Sequence, residues 1–369
     1  MKVQQFIREH GLEKLTERFG IKVREYPDRY VLNYCQIESS GQRFEQIVRE
    51  CRALILTRDF QVLSRTFDRF FNLGEDPQST RFSIAQSQVF EKLDGSLLSV
   101  YHDGREWCVQ SRSMAHAEGE TASGKTFREV FDLCLLNTPA ETFQQFTSHL
   151  NENYTYIFEM VSPENRVVKS YGSSRSIYLL GIRDKSSGEF LSQDVCDLIA
   201  EWDLGVPRPR RYEFGTVQEV LDSMPGLPVL DEGYIAVIET PGQDPWYLKI
   251  KNPAYLAVAN LRMNGAISGK RVITLVVGND HEEYLGYFPE DREVFAPYIQ
   301  AWADIRAQAT ATMEKFGAIQ SQKEFALEVK DLPFANIVFQ MRRGTSFDEC
   351  VKRATSTSLE RLFERIIQE

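Results

Sequence analysis

A single lysine has the surroundings of a reactive group in FEKLDGSLLSVYHDG, residues 90–104. Lys92 lies among apolar residues, two positions before Asp94, and the run that follows has the composition of a strand. An Asp-Gly pair between two apolar runs is typical of a tight hairpin turn. We therefore predict that Lys92 lies at the mouth of a hairpin, on the edge of a sheet. There it is either a solvated charge or a nucleophile.

Two carboxylates and a pair of lysines could act with it. Glu159 lies within the apolar run YIFEMV, and Glu232 precedes a turn glycine and an apolar strand in DEGYIAV. A carboxylate among apolar neighbours is costly unless it is paired or used. Lys249 and Lys251 alternate with apolar residues in YLKIK, so both project from one face of a strand. Taken singly, each of these residues is also explained as an ordinary solvated charge.

The elements that must position these residues are short strands. Runs of β-branched and aromatic residues, bounded by Gly, Asp, Asn or Pro, indicate strands at RYVLNYCQI, RALILT, QVLSRTF, QVFEKL, SLLSVYHDG, WCVQSRS, YIFEMVS, SIYLLGIRD, GYIAVIE and WYLKIK. Helical patterns interrupt them at about 41–49, 124–150, 192–202 and 216–223. This mixture favours an α+β domain built on antiparallel sheets with helices.

The pattern changes after about residue 260. Apolar residues then recur at spacings of three and four, and Ser321 and Ser346 precede such runs as helix caps. A chain of 369 residues exceeds the usual size of one domain. We predict a domain over 1–260 and an all-helical domain over 261–369. The segment RVITLVVG could be a strand or a helix, because its β-branched content favours a strand and its neighbourhood favours a helix.

Composition excludes several classes of protein. The chain is 42% hydrophobic and 26% charged, as in soluble globular proteins. Its six cysteines form no C-x-x-C pair and its five histidines no H-E-x-x-H, so we expect neither a disulfide framework nor a zinc site. There is no apolar run of the roughly 20 residues that span a bilayer, and the first residues lack the apolar segment of a signal peptide. These features predict a cytosolic protein.

Charge is unevenly distributed along the chain. The net charge of −10 opposes non-specific binding of nucleic acid. From Trp246 to Asn279, however, no acid occurs among five basic residues: Lys249, Lys251, Arg262, Lys270 and Arg271. This stretch could bind phosphates locally, or it could be a solvated basic face.

The order of these motifs resembles that of the covalent nucleotidyltransferases: K-x-D-G comes first, then a strand with a Glu, then E-G and K-x-K. These enzymes comprise ATP-dependent DNA and RNA ligases and messenger-RNA capping enzymes. The similarity is greater to the T-even phage RNA ligase 1 family. It extends over about residues 25–260 through ECRALIL, RFFNLGE, KLDGSLLSVY, FEMVSPENRVV, EGYIAV and KIKNPAY. The resemblance implies an ATP-grasp-like adenylyltransferase domain. It also implies an ATP-dependent RNA ligase that joins 5′-phosphate and 3′-hydroxyl ends through a lysyl-AMP and an adenylylated RNA 5′ end.

The resemblance assigns roles by position. Lys92 is implied to attack the α-phosphate of ATP, while Lys249 and Lys251 help to activate it and neutralise phosphate charge. Glu159 matches a ribose-binding or catalytic carboxylate. Glu232 matches the acid that places a divalent metal, Mg²⁺ or alternatively Mn²⁺. The nucleotide-binding positions implied in addition to these five are Tyr34, Arg52, Arg69, Phe71, Gly95, Arg112 and Tyr255.

Three of these assignments carry alternatives. Arg69 stands where the phage enzyme has a lysine, which keeps the charge but changes the donor geometry. Phe71 is explained as a core residue or as a neighbour of the nucleotide. An apolar side chain of SIYLLGIRD, Tyr178 or Leu180, could form the floor of the adenine site.

The resemblance also suggests partners. We expect a monomer that acts on single-stranded or broken stem-loop RNA, in the host cytosol if a phage encodes it, with a separate end-healing kinase or phosphatase as a possible partner. Similarity is slight beyond about residue 270, so no preference for tRNA is carried over. DNA ligases and capping enzymes usually continue from K-x-K into an OB barrel, whereas this tail is helical. A non-catalytic RNA-end-binding protein would be expected to have lost Lys92, Glu159 or Glu232, and all three are present.

Overall fold

The computed structural model describes residues 1–35, 38–259, 267–278, 280–352 and 354–368. The chain divides into two compact units, Met1–Ala257 and Val258–Glu369. Within the basic stretch, Arg262 and Asn279 lie outside the described residues. Among the described residues, no helix combines the length and apolar character that crossing a membrane requires.

The strands all lie in the first unit. They are β1 (Ile21–Glu25), β2 (Arg29–Tyr34), β3 (Leu54–Thr57), β4 (Val62–Ser64), β5 (Phe71–Asn72), β6 (Gln88–Glu91), β7 (Ser96–His102), β8 (Trp107–Ser111), β9 (Tyr154–Val161), β10 (Ser176–Asp184), β11 (Arg211–Tyr212), β12 (Gly233–Ile238) and β13 (Trp246–Lys251). All ten predicted strands are confirmed. Strands β1, β5 and β11 were not predicted: β5 and β11 have two residues each and carry no periodicity, and β1 (IKVRE) is mostly charged.

The strands form three sheets, ordered β1-β2-β3-β4, β10-β9-β7-β8 and β11-β6-β12-β13-β5. Neighbouring strands are antiparallel throughout, as predicted, except that β13 and β5 pair in parallel. The first unit is therefore the predicted α+β structure of antiparallel sheets with helices.

The helices are α1 (Lys2–His10), α2 (Leu12–Phe19), α3 (Gln46–Glu50), α4 (Phe127–Leu135), α5 (Phe143–Thr147), α6 (Gln193–Leu198), α7 (Val217–Ser223), α8 (Pro253–Ala259), α9 (Gly269–Gly278), α10 (His281–Tyr287), α11 (Arg292–Phe316), α12 (Gln322–Val329), α13 (Ala335–Met341), α14 (Phe347–Lys352) and α15 (Ser356–Gln368). A π-helical turn over Ile199–Leu204 follows α6. The segment RVITLVVG lies in α9, whose buried residues Val272, Ile273 and Val276 have helical spacing.

One segment that was predicted to be helical forms two separate helices. The pattern over 124–150 divides into α4 and α5, because each has its own N-terminal cap. The Thr126 hydroxyl accepts a hydrogen bond from the Glu129 N–H, and the Glu129 carboxylate accepts one from the Thr126 N–H, which forms a capping box. At α5 the Thr142 hydroxyl is the cap, and it accepts a hydrogen bond from the N–H of Gln145.

The predicted hairpin around Lys92 is wrong. β6 pairs with β11 and β12, whereas β7 pairs with β8 and β9, so the two strands belong to different sheets. The KLDG turn is a crossover between sheets. The local Asp-Gly signal cannot distinguish a hairpin from a crossover, because the pairing partners lie in distant segments.

The two sheets joined by this crossover share an aromatic core. Phe67, Phe90, Ile157, Val237 and Tyr247 are buried together where the sheets face each other. On its other side, the sheet that contains β7 and β9 is covered by α4, α5 and α6 through a larger apolar cluster. Only one face of each strand is therefore free to carry polar side chains toward the space between the sheets.

The second unit has a core of its own. Ile305, Phe325, Val338 and Phe363 are fully buried among its helices. Every described element beyond α8 is helical, as the apolar spacing predicts.

Gly233 allows β12 and β13 to pair beside Glu232. Its φ is +121°, and an added Cβ would lie 2.2 Å from the Ile250 carbonyl oxygen. We predict that Gly233→Ala lowers the free energy of unfolding by about 3 kcal/mol or more, since it adds a backbone clash to a disfavoured φ. The measurement is urea unfolding followed by circular dichroism.

Gly242 is the matched control. It also has a positive φ, +73°, but an added Cβ would meet no atom within 4 Å. Gly242→Ala should cost only about 1–2 kcal/mol. Equal losses in the two variants would show that the close packing at Gly233 is unimportant.

Candidate active site

The crossover after β6 is held at both ends by neighbouring strands. The Lys92 N–H donates to the Gly233 carbonyl at 2.9 Å, and the Gly95 N–H donates to Glu159 Oε1 at 3.1 Å. A Cβ at Gly95 would lie 2.3 Å from the Met160 carbonyl oxygen. The backbone therefore lies so close to β9 that only glycine fits, and Lys92 is fixed between the two sheets.

Asp94 connects the crossover to two further segments. Its Oδ2 accepts hydrogen bonds from the N–H groups of Val168 at 2.8 Å and Lys169 at 2.6 Å. Its Oδ1 accepts one from the Tyr255 hydroxyl at 2.8 Å, and its own N–H donates to the Tyr171 hydroxyl at 3.0 Å. Burial raises the pKa of Asp94, although these hydrogen bonds oppose the rise. Asp94 thus anchors the turn that carries the nucleophile candidate.

Lys169 adds a second link between the same segments. Its Nζ lies 2.7 Å from Asp231 Oδ1 and 3.5 Å from Glu91 Oε1. These two acids directly precede Glu232 and Lys92 in the chain. One ammonium group therefore holds the backbone beside both residues.

Glu232 lies between two lysines. The distance from Lys92 Nζ to Glu232 Oε2 is 2.5 Å, and that from Lys251 Nζ to Glu232 Oε1 is 2.9 Å. The residues come together because β12 and β13 are paired, with Gly233 opposite Lys251. Glu232 is buried, which by itself would raise its pKa, but the two ammonium groups hold that pKa below its usual range.

Lys249 forms no ion pair with a described residue, although the charge of Glu75 acts on it. Burial lowers its pKa well below the ordinary value, and the nearby charges of Arg52, Lys92 and Lys251 lower it further. Its Nζ lies 4.6 Å from the centre of the Phe70 ring. Four cationic side chains thus lie near one another, which favours binding of an anion.

Glu159 lies on the central strand β9, opposite Leu97 of β7 and Tyr178 of β10. Burial raises its pKa to about 7, an effect that Lys92 opposes and Glu232 reinforces. A carboxyl group with this pKa exchanges protons near neutral pH.

Lys92, Lys249 and Glu159 border a cavity of about 670 Å³, a volume that includes space open to solvent. Its cationic part is formed by Arg52, Lys92 and Lys249, next to Glu159. Its remaining wall consists of Phe67, Phe70, Phe90, Leu93, Leu97, Leu180, Pro209, Ile235 and Val237 with the polar residues Glu91, Gln193, Arg208 and Tyr247. A charged part beside an apolar slot suits a ligand that joins phosphates to a flat base.

The other predicted residues form a neighbouring cluster. The guanidinium groups of Arg69 and Arg112 lie 4.3 Å and 4.8 Å from the centre of the Tyr34 ring. Phe71 packs against Arg69 at 5.5 Å. Arg69 and Phe71 border a second cavity, which shares Phe70 and Tyr247 with the first. The structure therefore divides the predicted set between two adjoining places.

Sequence reasoning missed several residues of the first cavity. Phe70 lines it and Phe71 does not, although both belong to the same motif, because the side chains of successive residues in extended chain point to opposite sides. Leu180 was not missed: of the two alternatives for the floor of the adenine site, Leu180 lines the cavity, whereas Tyr178 is not among its wall residues. Strand periodicity around the motifs could have indicated Phe70. Nothing local marked Lys169, since its contacts lie 62 to 78 residues away.

A family model described as RNA ligase, of the T4 RNA ligase 1 type, matches residues 50–255, more than half of the chain. The chain belongs to this RNA ligase family. The match includes Arg52, Lys92 and the KIKNPAY motif, so the family named from the motifs is confirmed.

Curated RNA ligases resemble most of this chain. It is 29% identical over 360 residues to a protein of Autographa californica nuclear polyhedrosis virus named as a bifunctional polynucleotide kinase/RNA ligase, covering 94% of this chain and 50% of that protein. It is 26% identical over 368 residues to the RNA ligase of Rhodothermus phage RM378, covering 83% of this chain and 80% of the phage protein. The chain thus spans only half the length of the baculovirus relative.

Among solved structures, an archaeal ATP-dependent RNA ligase matches with a TM-score of 0.46 at 13% identity, over 93% of this chain and 81% of that one. A Naegleria gruberi RNA ligase variant solved with ATP and Mn matches with a TM-score of 0.34 at 17% identity, over 53% of this chain and 58% of that one.

The raised pKa of Glu159 predicts a pH-dependent stability. Below the ordinary pKa of 4.5 the folded and unfolded states are both protonated, so the full stability is present. As the pH rises toward about 7, the unfolded state ionises first and wild type loses stability. Glu159→Gln lacks this loss, so its stability relative to wild type should increase by about 1–3 kcal/mol between pH 5 and pH 8.

Urea unfolding at several pH values provides the measurement. Glu129→Gln is the control: the hydrogen bonds of Thr126 lower the pKa of Glu129 below its ordinary 4.5, so this carboxylate is ionised in both states above pH 5 and the difference should stay flat between pH 5 and pH 8. A Glu159→Gln difference that is flat across this range would contradict a titration near neutral pH.

Proposed function

We propose that the chain is an ATP-dependent RNA ligase that joins 5′-phosphate to 3′-hydroxyl RNA ends through a lysyl-AMP and an adenylylated RNA 5′ end. The observation that carries the proposal is the position of Lys92. Its amine lies at the cationic part of an otherwise apolar cavity and is bonded to the carboxylate of Glu232. Membership of the RNA ligase family supports the same chemistry.

In the first step the Lys92 amine attacks the α-phosphorus of ATP. An N–P bond forms, the bond from that phosphorus to the bridging oxygen breaks, and pyrophosphate leaves. The proton of the attacking group passes to an acceptor, and Glu232 Oε2 is within hydrogen-bond distance. Lys249 and Arg52 stabilise the charge that develops on the phosphates.

In the second step an oxygen of the RNA 5′-phosphate attacks the phosphorus of lysyl-AMP. The N–P bond breaks, Lys92 is regenerated, and AMP is joined to the RNA through a diphosphate. The 3′-hydroxyl then attacks the 5′-phosphorus of the RNA, and AMP leaves with the electron pair.

Tyr255 acts through Asp94, to which its hydroxyl donates a hydrogen bond. It thereby positions the turn that carries Lys92.

A divalent metal, Mg²⁺ or Mn²⁺, fits the donor chemistry of this site. Carboxylate oxygen is the ligand that Mg²⁺ prefers, usually one or two carboxylates together with substrate phosphates. Glu232 would hold it, and Glu159, a cavity residue whose pKa Glu232 helps to raise, is a further carboxylate close enough to interact with Glu232. When bound, the metal would supply positive charge to the α-phosphate.

RNA is favoured over DNA or a cap as the acceptor. The OB barrel typical of DNA ligases and capping enzymes has no counterpart in the described part of the second unit, which is helical.

The name of the baculovirus relative joins a polynucleotide kinase to an RNA ligase. We therefore propose that a separate end-healing kinase or phosphatase prepares the 5′-phosphate and 3′-hydroxyl ends for this chain, which acts as a cytosolic monomer.

Lys92 should be the residue that carries AMP. With ATP labelled on its α-phosphate and Mg²⁺, wild type should retain label after denaturation. Lys92→Ala and Lys92→Arg should retain less than about 1% of it, because neither leaves an amine to form the N–P bond. The exposed Lys22 is the control, and Lys22→Ala should be labelled normally. If the Lys92 variants retained as much label as wild type, the mechanism would be refuted.

Lys169 should position the site by its charge. We expect Lys169→Met to lower the rate constant of adenylylation about tenfold, since the links to Asp231 and Glu91 are lost. Lys169→Arg should recover most of the rate, with little change in KM for ATP. Lys185→Met removes another half-buried lysine, bonded to the His102 carbonyl, and should leave the rate unchanged. A Lys169→Arg variant as slow as Lys169→Met would contradict a role for the charge.

A further inference from the structure

Gln193 is a buried amide in the wall of the cavity that contains Lys92. It is the first residue of α6, only 2% exposed, and its N–H donates to Glu239 Oε1 at 2.9 Å. Its side-chain Oε1 accepts a hydrogen bond from Arg208 Nη2. A guanidinium group can only donate, so this contact decides which end of the amide is oxygen.

The other end of the amide is a donor without an acceptor. Among the described residues, no group accepts a hydrogen bond from Gln193 Nε2, although the residue borders the cavity. Arg208 is itself held by Asp197 Oδ1 at 2.7 Å and by the Leu179 carbonyl. The amide therefore cannot turn over without breaking this arrangement, and its N–H groups remain directed away from Arg208.

A second buried polar atom lies nearby. The Tyr247 hydroxyl is buried and has no hydrogen-bond partner among the described residues. Glu239 and Arg208, the neighbours of Gln193, are also among the charges that act on the hydroxyl of Tyr247. A buried polar atom without a partner is costly, and the Tyr247 hydroxyl together with an amide donor that has no acceptor among the described residues points to a ligand in this cavity.

These groups lie away from the nucleophile. Tyr247 and Lys249 are on the same face of β13, about 7 Å apart along the strand. Glu232 precedes β12, whereas Glu239, which binds the Gln193 N–H, follows its other end. The cavity thus has phosphate-binding charges near Lys92 and hydrogen-bonding groups at its opposite end.

We infer that Gln193 selects the nucleobase, donating from Nε2 to the N1 acceptor of adenine. This inference rests on the proposed function, in which the phosphates lie beside Lys92. The Watson–Crick edge of a purine is the part farthest from its ribose, so it reaches the far end of the cavity. Adenine has an acceptor at N1 and guanine has an N–H there, so a fixed donor favours ATP over GTP.

Lysyl-nucleotide formation by the full chain tests the inference. The rate is measured against concentration for ATP, GTP, 1-deaza-ATP and 7-deaza-ATP, each labelled on the α-phosphate. In wild type, the KM for the 1-deaza analogue should exceed that for ATP by about 3–10-fold, the effect of one lost hydrogen bond. The 7-deaza analogue should have the same KM as ATP. A loss with 7-deaza-ATP and none with 1-deaza-ATP would overturn the assignment.

Two variants carry the test further. Gln193→Leu should raise the KM for ATP about 3–10-fold and leave the KM for the 1-deaza analogue unchanged. Gln193→Glu can still pair with Arg208 but presents an acceptor to the base, so GTP should gain at least about tenfold relative to ATP. If Gln193→Leu does not fold, Gln193→Glu, which keeps the contact with Arg208, decides together with the 1-deaza comparison: an unchanged preference for ATP over GTP in that variant would overturn the assignment.

Gln110 is the matched control. It is a buried glutamine whose Nε2 is already bonded, to the Ala53 carbonyl at 2.8 Å. Gln110→Leu can lower stability but should leave the preference for ATP over GTP unchanged. If wild type takes label from ATP and Gln193→Leu has the wild-type KM and preference, the inference fails and the ligase function stands. If wild type takes no label at all, both fail.

Discussion

The site depends on one buried carboxylate held between two ammonium groups. Lys92, Lys249, Lys251 and Arg52 would repel one another if no anion lay among them. Glu232 bonds to two of them, and Lys249 is left with its pKa lowered. The folded chain therefore holds a local excess of positive charge, which the phosphates of a nucleotide would neutralise.

This charge is placed by pairing between distant segments. Lys92 and Glu232 are 140 residues apart in the chain, and they meet because β6 and β12 are neighbours in one sheet while the crossover leads to another. Within the crossover, Asp94 accepts a hydrogen bond from the Lys169 N–H, and the Lys169 ammonium group contacts Asp231 beside Glu232. The position of the amine is thus set by backbone contacts more than by the lysine side chain itself, which suits a group that must meet one phosphorus atom.

The distribution of charge also reconciles an acidic protein with an anionic ligand. The net charge of −10 describes the surface as a whole, whereas the cavity is cationic where Arg52, Lys92 and Lys249 line it. A low-dielectric wall of aromatic and aliphatic residues strengthens these local charges. A nucleotide of flat base and charged phosphates is complementary to both parts, and Gln193 Nε2 is the donor that we infer for the base.

By itself, the sequence determined the family, the ten main strands and the helical second unit, because ordered motifs and apolar periodicity are local properties. It also named four residues that line the cavity, Arg52, Lys92, Glu159 and Lys249, although their roles remain predictions. Only the tertiary structure decided that KLDG is a crossover, that Phe70 rather than Phe71 lines the cavity that contains Lys92, and that Lys169 and Gln193 lie at the site. These facts depend on which strands pair and which way side chains point across long sequence separations, and no local pattern records them.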